Sequence, residues 1–310
     1  MTPTTLFRVL ALLAALVVVW GAMKVFRGGL GDAPQALDLP RLSAPDVDRV
    51  DVVTPSDTVR LARGPSGGWT VNGMPAAADR VNDLLAALSD TGQSSELVAR
   101  SPGSHARLGV DSTAGRQLRL AMGDRVLLHL VFGSQGRGWQ TAYVRRADEN
   151  EVYLLSGRLA PLVDASAESW RDRRIGGAPA DSVAAVRIER GRRVTTLTRA
   201  DSAWRVGDAP ADSAAVQRLL QGLGEVTAAG FAGAAQADSL DFTRPDGRLV
   251  VTGLRGDTLL GLAVDSTASG VWVRGLSGGT VFRLDGWRLG ELMPVDSTLR
   301  RKQVPVPLGS

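Results

Sequence analysis

The stretch from Trp69 to Leu88 occurs twice in this chain, and that repetition constrains the fold more than any other feature. The first copy reads Trp69-Thr-Val71-Asn-Gly-Met-Pro75, followed by Val81, Leu84, Leu85 and Leu88. The second reads Trp204-Arg-Val206-Gly-Asp-Ala-Pro210, followed by Val216, Leu219, Leu220 and Leu223. The offset is 135 throughout, as 204 against 69 and 223 against 88 show. Trp and Val two apart share one side of a strand, because strand side chains alternate. The proline suits a turn or the first helical turn, where its missing N–H costs little. The four aliphatic residues fall at i, i+3, i+4 and i+7, one apolar stripe on a helix. Each copy therefore reads as a strand turning into an amphipathic helix that must lie on a sheet, and packing accounts for all of these residues.

The surrounding pattern fills in two α+β repeats, 46–175 and 181–300, each a mainly antiparallel sheet with one packed helix. In the first, Val50/Val52, Val59/Leu61 and Trp69/Val71 predict a three-strand meander, and a helix follows from about Ala76 to Ser89. Ser101-Pro-Gly-Ser-His-Ala reads as a loop. Leu118/Leu120, Val126–Phe132, Ala142/Val144 and Val152–Leu155 read as four further strands, and Leu159–Val163 as a short closing helix. Trp170-Arg-Asp-Arg-Arg-Ile175 ends the repeat. After Gly176-Gly-Ala-Pro179 the cycle restarts with Val186/Ile188, Val194/Leu197 and Trp204/Val206. A helix at about 211–224 and four strands from Gly247, Asp257, Gly270 and Thr280 complete it. There the register drifts: Gly247-Arg248 answers Gly115-Arg116, and Val281-Phe282 answers Val152-Tyr153, as loop deletions produce.

The first 28 residues read as a membrane anchor. Val9 to Met23 is uninterrupted apolar sequence. Alone it reaches only about 22 Å as a helix, but from Leu6 to Phe26 it reaches about 31 Å, enough for a hydrocarbon core of about 30 Å. Arg8 and Lys24 can then snorkel to the headgroups and Trp20 lies near an interface. A cleaved signal peptide is the competing reading, but no small-x-small site follows the run closely. A buried soluble helix is the third. Flanking charges are nearly balanced, so orientation rests on the short N-terminal tail, which places the bulk of the chain outside. Residues 29–45, rich in Gly and Pro, read as a flexible linker, and 301–310 as a disordered tail.

Charge and cysteine exclude several function classes. Of the 36 basic residues, Arg8, Lys24 and Arg27 lie in the first 28, leaving 33 against 32 acidic residues. That balance is no footprint for nucleic acid, despite a pI of 10.2. With no cysteine there is no disulfide, thiolate nucleophile, Cys-ligated zinc or lipidated N-terminal cysteine.

Chemical motifs are few. Gly64-Pro-Ser66-Gly-Gly68 and Gly275-Leu-Ser277-Gly-Gly279 match the G-x-S-x-G pattern, but a nucleophile elbow needs a strand before and a helix after. Each sits between two strands and reads as a hairpin turn. His105 and His129 are the only histidines. They form no H-x-H or H-x-x-x-H pair, so zinc would need distant carboxylates. Asp-Ser-Thr recurs at Asp111, Asp265 and Asp296 and reads as turns and helix caps. Arg171-Asp-Arg-Arg174 and Arg190-Gly-Arg-Arg193 read as solvated faces, the first also as a lipid-headgroup contact. Scattered carboxylates leave a glycosidase-type pair open. No catalytic, cofactor-binding or metal residue is assigned, and no cofactor is expected.

Taken together, the Trp69-x-Val71 strand, the leucine-rich helix, the Tyr143-Val-Arg…Val152-Tyr-Leu-Leu155 pair and Trp170-Arg-Asp-Arg-Arg174 resemble the family catalogued as domain of unknown function 4340. The resemblance covers about 46–175, with a degenerate copy at 181–300. One departure is Arg107-Leu-Gly-Val, where the family commonly has a Tyr-Gly-Leu-like turn. The resemblance implies a single-pass protein of the bacterial inner membrane with its bulk periplasmic, since members often carry one N-terminal anchor. Some are encoded beside gliding-type ABC transport systems, which implies a non-catalytic accessory or binding subunit with integral-membrane or envelope partners. The alternatives are a stand-alone envelope scaffold binding glycan or lipid, and a periplasmic hydrolase using converging carboxylates.

Overall fold

The computed structural model describes residues 36–90, 93–111, 113–163, 166–201 and 203–301. The anchor expected at 1–28 lies outside them, as do the start of the expected linker and nearly all of the expected tail. No helix among the described residues is long and apolar enough to cross a membrane. The chain is α+β, mostly antiparallel sheet with a few helices, and divides into two compact units that meet in sequence at Trp170 and Arg171.

The first unit holds β1 (Arg49–Val53), β2 (Thr58–Arg63), β3 (Trp69–Val71), β4 (Met74–Pro75), β5 (Ser94–Ala99), β6 (Arg116–Met122), β7 (Arg125–Gln135), β8 (Thr141–Arg146) and β9 (Val152–Ser156). They form one antiparallel sheet in the order β4-β3-β2-β1-β6-β7-β8-β9-β5. β4 and β5 lie on opposite edges, so the helix Ala78–Leu88 that joins them crosses the sheet face. Its Val81, Leu84, Leu85 and Leu88 are all buried, as the stripe requires. They pack with Val50, Val52, Leu61, Leu118, Leu130 and Phe132 from the middle strands. On β7 the alternation sends Val131 to the opposite face, where it meets Leu108, Val110 and Val152.

The second unit holds β10 (Arg174–Gly176), β11 (Val183–Arg190), β12 (Arg193–Ala200), β13 (Ala203–Val206), β14 (Ala209–Pro210), β15 (Val226–Thr227), β16 (Gly230–Phe231), β17 (Gly247–Gly253), β18 (Thr258–Thr267), β19 (Gly270–Gly275) and β20 (Phe282–Leu284). β10 and β15 pair by themselves. The others form a sheet in the order β14-β13-β12-β11-β17-β18-β19-β20-β16, the same path as the first. The helix Ser213–Gly224 buries Val216, Leu219, Leu220 and Leu223. The two helices start alike. The N–H of Ala77 donates to Trp170 O at 2.9 Å, and that of Asp212 to Leu299 O at 2.7 Å. Only Asp212 adds a side-chain cap, accepting from Ala215 N at 2.8 Å.

Several expectations need correction. Pro75 and Pro210 sit in the two-residue strands β4 and β14, not in a helical turn, so the helices start later than the proline position suggests. The segment expected as linker is fixed from Leu37 onward. Leu37 is buried, its N–H donates to Ser95 Oγ at 2.7 Å, and Leu39, Leu42 and Ala44 pack on the core. Trp170 closes the first unit, but the following residues, placed by sequence in the first repeat, bond to the second: β10 pairs with β15, and Ala228 N–H donates to Arg173 O. Trp69 is buried at 6% exposure, whereas Trp204 is only half-buried.

Candidate functional site

The residues singled out by their chemistry lie in turns, strands and short helices. Ser66 lies in the β2–β3 turn, where Gly64 N–H donates to Gly68 O and Gly67 N–H to Gly64 O. Ser277 follows β19 in a turn closed from Gly278 N–H to Gly275 O. Both serines are exposed and neither precedes a helix. Half-buried His129 faces Gln117 Oε1 at 3.1 Å across β6–β7. Burial first, then the charges of Arg119 and Arg145, hold its pKa below the ordinary histidine value. His105 lies against Asn150 O at 3.0 Å. Among the described residues no group of three His, Asp or Glu is placed to hold a metal ion.

Of the recurrent aspartates Asp111 closes a turn, whereas Asp265 lies within β18 and Asp296 makes no side-chain cap, correcting the expectation for those two. Asp111 Oδ1 accepts from Thr113 Oγ1, Thr113 N and Ala114 N, and the Thr113 hydroxyl is the main cause of its lowered pKa. Asp241 repeats this arrangement with Thr243, a pairing the sequence carries as Asp-x-Thr in both halves before β6 and β17. Asp265 accepts from Asp241 N at 2.8 Å, and Asp296 opens the short helix Asp296–Leu299 while pairing with Arg300 Nε at 2.8 Å. The first arginine group is not simply a solvated face. Arg171 stacks 3.5 Å above the Phe231 ring, and Asp172 accepts from Arg174 N.

Both units carry concave surface among the described residues, two cavities of it in the second. One cavity of about 490 Å³ lies between the helices Ser213–Gly224 and Gly286–Leu292. Leu219, Arg218, Trp287 and Arg288 are among its walls, and Trp287 is 66% exposed. Arg288 is positioned there by Gly222 O, Glu225 O and Glu291. A second cavity, about 760 Å³, shares Pro294 with the first. The β11–β12 hairpin supplies its Arg190, Arg192, Arg193 and Thr195, and the segment before the last helix supplies Val295 and Asp296. Arg190 Nη1 donates to Met293 O at 2.9 Å, tying the hairpin to that segment.

Two further depressions, of about 410 and 570 Å³, lie among the described residues of the first unit. One is bordered by Trp139, 86% exposed, with Arg116, Gln135, Gln140 and Thr141. The other has Asp38, Glu149, Glu151 and Tyr153, with Glu149 held by Arg146 at 3.4 Å. Burial, then Glu149 and Glu151, raise the Tyr153 pKa.

Fold and surface together define an α+β protein with two large antiparallel sheets of identical strand order and cavities walled by arginine, tryptophan and aliphatic groups. The model of the family described as Domain of unknown function (DUF4340) matches residues 69–248, and the chain belongs to that family. The match opens at Trp69 and runs through the second strand–helix stretch into β17. No curated protein and no solved structure matches the chain.

Proposed function

We propose that this protein is a non-catalytic binding subunit of an envelope or ABC-type transport assembly. In this reading a single N-terminal helix anchors it in the inner membrane and two tandem copies of one module stand outside. The observation that carries the reading is the make-up of the second unit's cavities. Each is walled by arginines and apolar groups and contains one carboxylate, Glu291 or Asp296, already held by Arg288 or Arg300. Such walls suit recognition more than acid–base chemistry, which needs a free, positioned pair. The tandem-copy part is supported by the equal strand orders and by the matching bonds from Ala77 to Trp170 and from Asp212 to Leu299. The anchor is supported by the apolar sequence from Leu6 to Phe26. The hydrolase reading has one observation in its favour, a depression lined by Asp38, Glu149 and Glu151, of which Glu149 is paired with Arg146. A glycan-binding scaffold has one observation in its favour, the exposed Trp139 flanked by amide side chains.

The test is purification of the full-length chain from its native membrane in mild detergent, with protease digestion of spheroplasts alongside. The proposal expects co-purifying integral-membrane components and digestion of everything beyond about residue 30. Recovery as a soluble protein, or co-purification of envelope glycan without membrane proteins, contradicts it.

A further inference from the structure

The cavity beside the β11–β12 hairpin carries a charge arrangement that the fold does not need. Arg190, Arg192 and Arg193 line it, and none has a carboxylate partner among the described residues. Its one carboxylate, Asp296, is engaged through Oδ2 by Arg300 at 2.8 Å, so the three exposed guanidinium groups on the wall have no carboxylate of the cavity to pair with. Of the nearby acids, Glu189 pairs with Arg187 at 2.8 Å, and Asp246 Oδ2 accepts from Ser266 N and pairs with none of the three arginines.

Comparison with the first unit shows that these arginines are not a requirement of the hairpin. The registers Val52↔Val59 and Ile188↔Thr195 make the β1–β2 and β11–β12 hairpins counterparts. The first turns through Thr54-Pro-Ser-Asp57, and Asp57 there accepts from Ala167 N, at the start of the helix that ends in Trp170. The second turns through Arg190-Gly-Arg-Arg193 beside the corresponding helix, Asp296–Leu299. An acidic, self-satisfied hairpin has thus become a cationic one lining a cavity. A polar substitution accompanies the change. Thr195 stands where the first unit has Val59 and is 8% exposed, yet its hydroxyl makes no hydrogen bond among the described residues. That hydroxyl is on the cavity wall and open to a ligand.

We propose that this cavity binds a phosphate ester. Guanidinium groups engage phosphate oxygens in pairs, with directed, charge-assisted bonds that a lone lysine does not reproduce. Arg192 and Arg193 hold the phosphate, and Arg190 contributes charge while remaining tied to Met293 O. The Thr195 hydroxyl, on the same wall, donates to the ester. Val194, 52% exposed, and Val295, 46% exposed, give the ester's organic part an apolar rest. This chemistry fits a glycerophosphate, whether as a lipid headgroup or as a free metabolite. The inference rests on the second unit's geometry and not on the membrane reading, so either can fail alone.

Calorimetric titration of the full-length chain in non-ionic detergent tests it, with glycerol 3-phosphate and short-chain dihexanoyl-phosphatidylglycerol as probes. At least one should bind, with tighter binding of the lipid naming a headgroup and tighter binding of glycerol 3-phosphate naming the free ester. Arg192→Ala with Arg193→Ala should weaken the bound probe by about tenfold or more. The charge-matched control, Arg244→Ala with Arg255→Ala on exposed residues that do not line the cavity, should leave it unchanged. Both double variants are checked for native circular dichroism and unfolding midpoint. Binding by neither probe, or equal losses in the two folded double variants, overturns the proposal.

Discussion

Replacing Trp170 should show whether the last turn of the first unit closes its core. The indole is fully buried and packs in the main cluster with the helix Ala78–Leu88. Its carbonyl receives Ala77 N–H at 2.9 Å, and the Arg80 guanidinium lies 5.1 Å from the ring. Trp170→Ala leaves a cavity under that helix and should cost about 3–5 kcal/mol. Trp170→Phe is a different perturbation. The indole Nε1 is buried with no hydrogen-bond partner, so phenylalanine removes an unsatisfied donor worth about 1–3 kcal/mol while losing part of the ring volume. The terms oppose, and the net change should lie within about 1.5 kcal/mol of wild type. Equilibrium urea unfolding, followed by circular dichroism and by fluorescence, measures both. The reasoning is refuted if alanine costs less than about 1 kcal/mol, or if phenylalanine costs as much as alanine.

Three further outcomes follow from the same geometry. Trp69→Ala should destabilise by about 3–5 kcal/mol and Trp204→Ala by clearly less, because only the first ring is buried; equal losses in urea unfolding would contradict this. His129 has its pKa lowered by burial, so it contributes stability that is full above its unfolded value near 6.5 and is lost as pH falls through the lower folded value. His129→Gln should therefore flatten the decline of the unfolding midpoint below about pH 6.5, and an unchanged slope argues against the assignment. Gly133→Ala should destabilise by about 1–3 kcal/mol, since an added Cβ would lie 2.1 Å from Leu108 O and 2.8 Å from Val110; a neutral result in thermal unfolding would show that the Leu108–Val110 turn yields.

Local periodicity exposed most of this fold. The i, i+3, i+4, i+7 stripes became the helices Ala78–Leu88 and Ser213–Gly224, and the alternating pairs became the central strands. Elements defined by distant partners were not legible. β5 reads Ser-Ser-Glu-Leu-Val-Ala, only half-buried, and its partner β9 lies beyond three intervening strands. Similarly, β10 looks like the end of the first repeat until β15 pairs with it. The difference between Trp69 and Trp204 is invisible in sequence because burial depends on what covers the ring, not on the motif around it. At the candidate site, the four residues Arg190 to Arg193 were visible as a charge run. What makes them a cavity wall is Pro294 to Ser297, about a hundred residues further on, which no local pattern connects to the hairpin. The buried Thr195 was detectable only after register placed it opposite Ile188, where the first unit has valine.

In the proposed function the protein acts by binding from a membrane tether and not by catalysis, and complementation in the native host puts both halves to one test. Chains carrying His105→Ala, His129→Ala, Ser66→Ala or Ser277→Ala should restore function when folded and normally abundant, because these side chains serve turns and strands. A chain whose first 28 residues are replaced by a cleavable signal should fail, since release removes the effective concentration that a tether provides near membrane partners. Loss of function in His105→Ala or Ser277→Ala with intact folding would contradict the non-catalytic half of the claim, and full function from the released chain would contradict the membrane half.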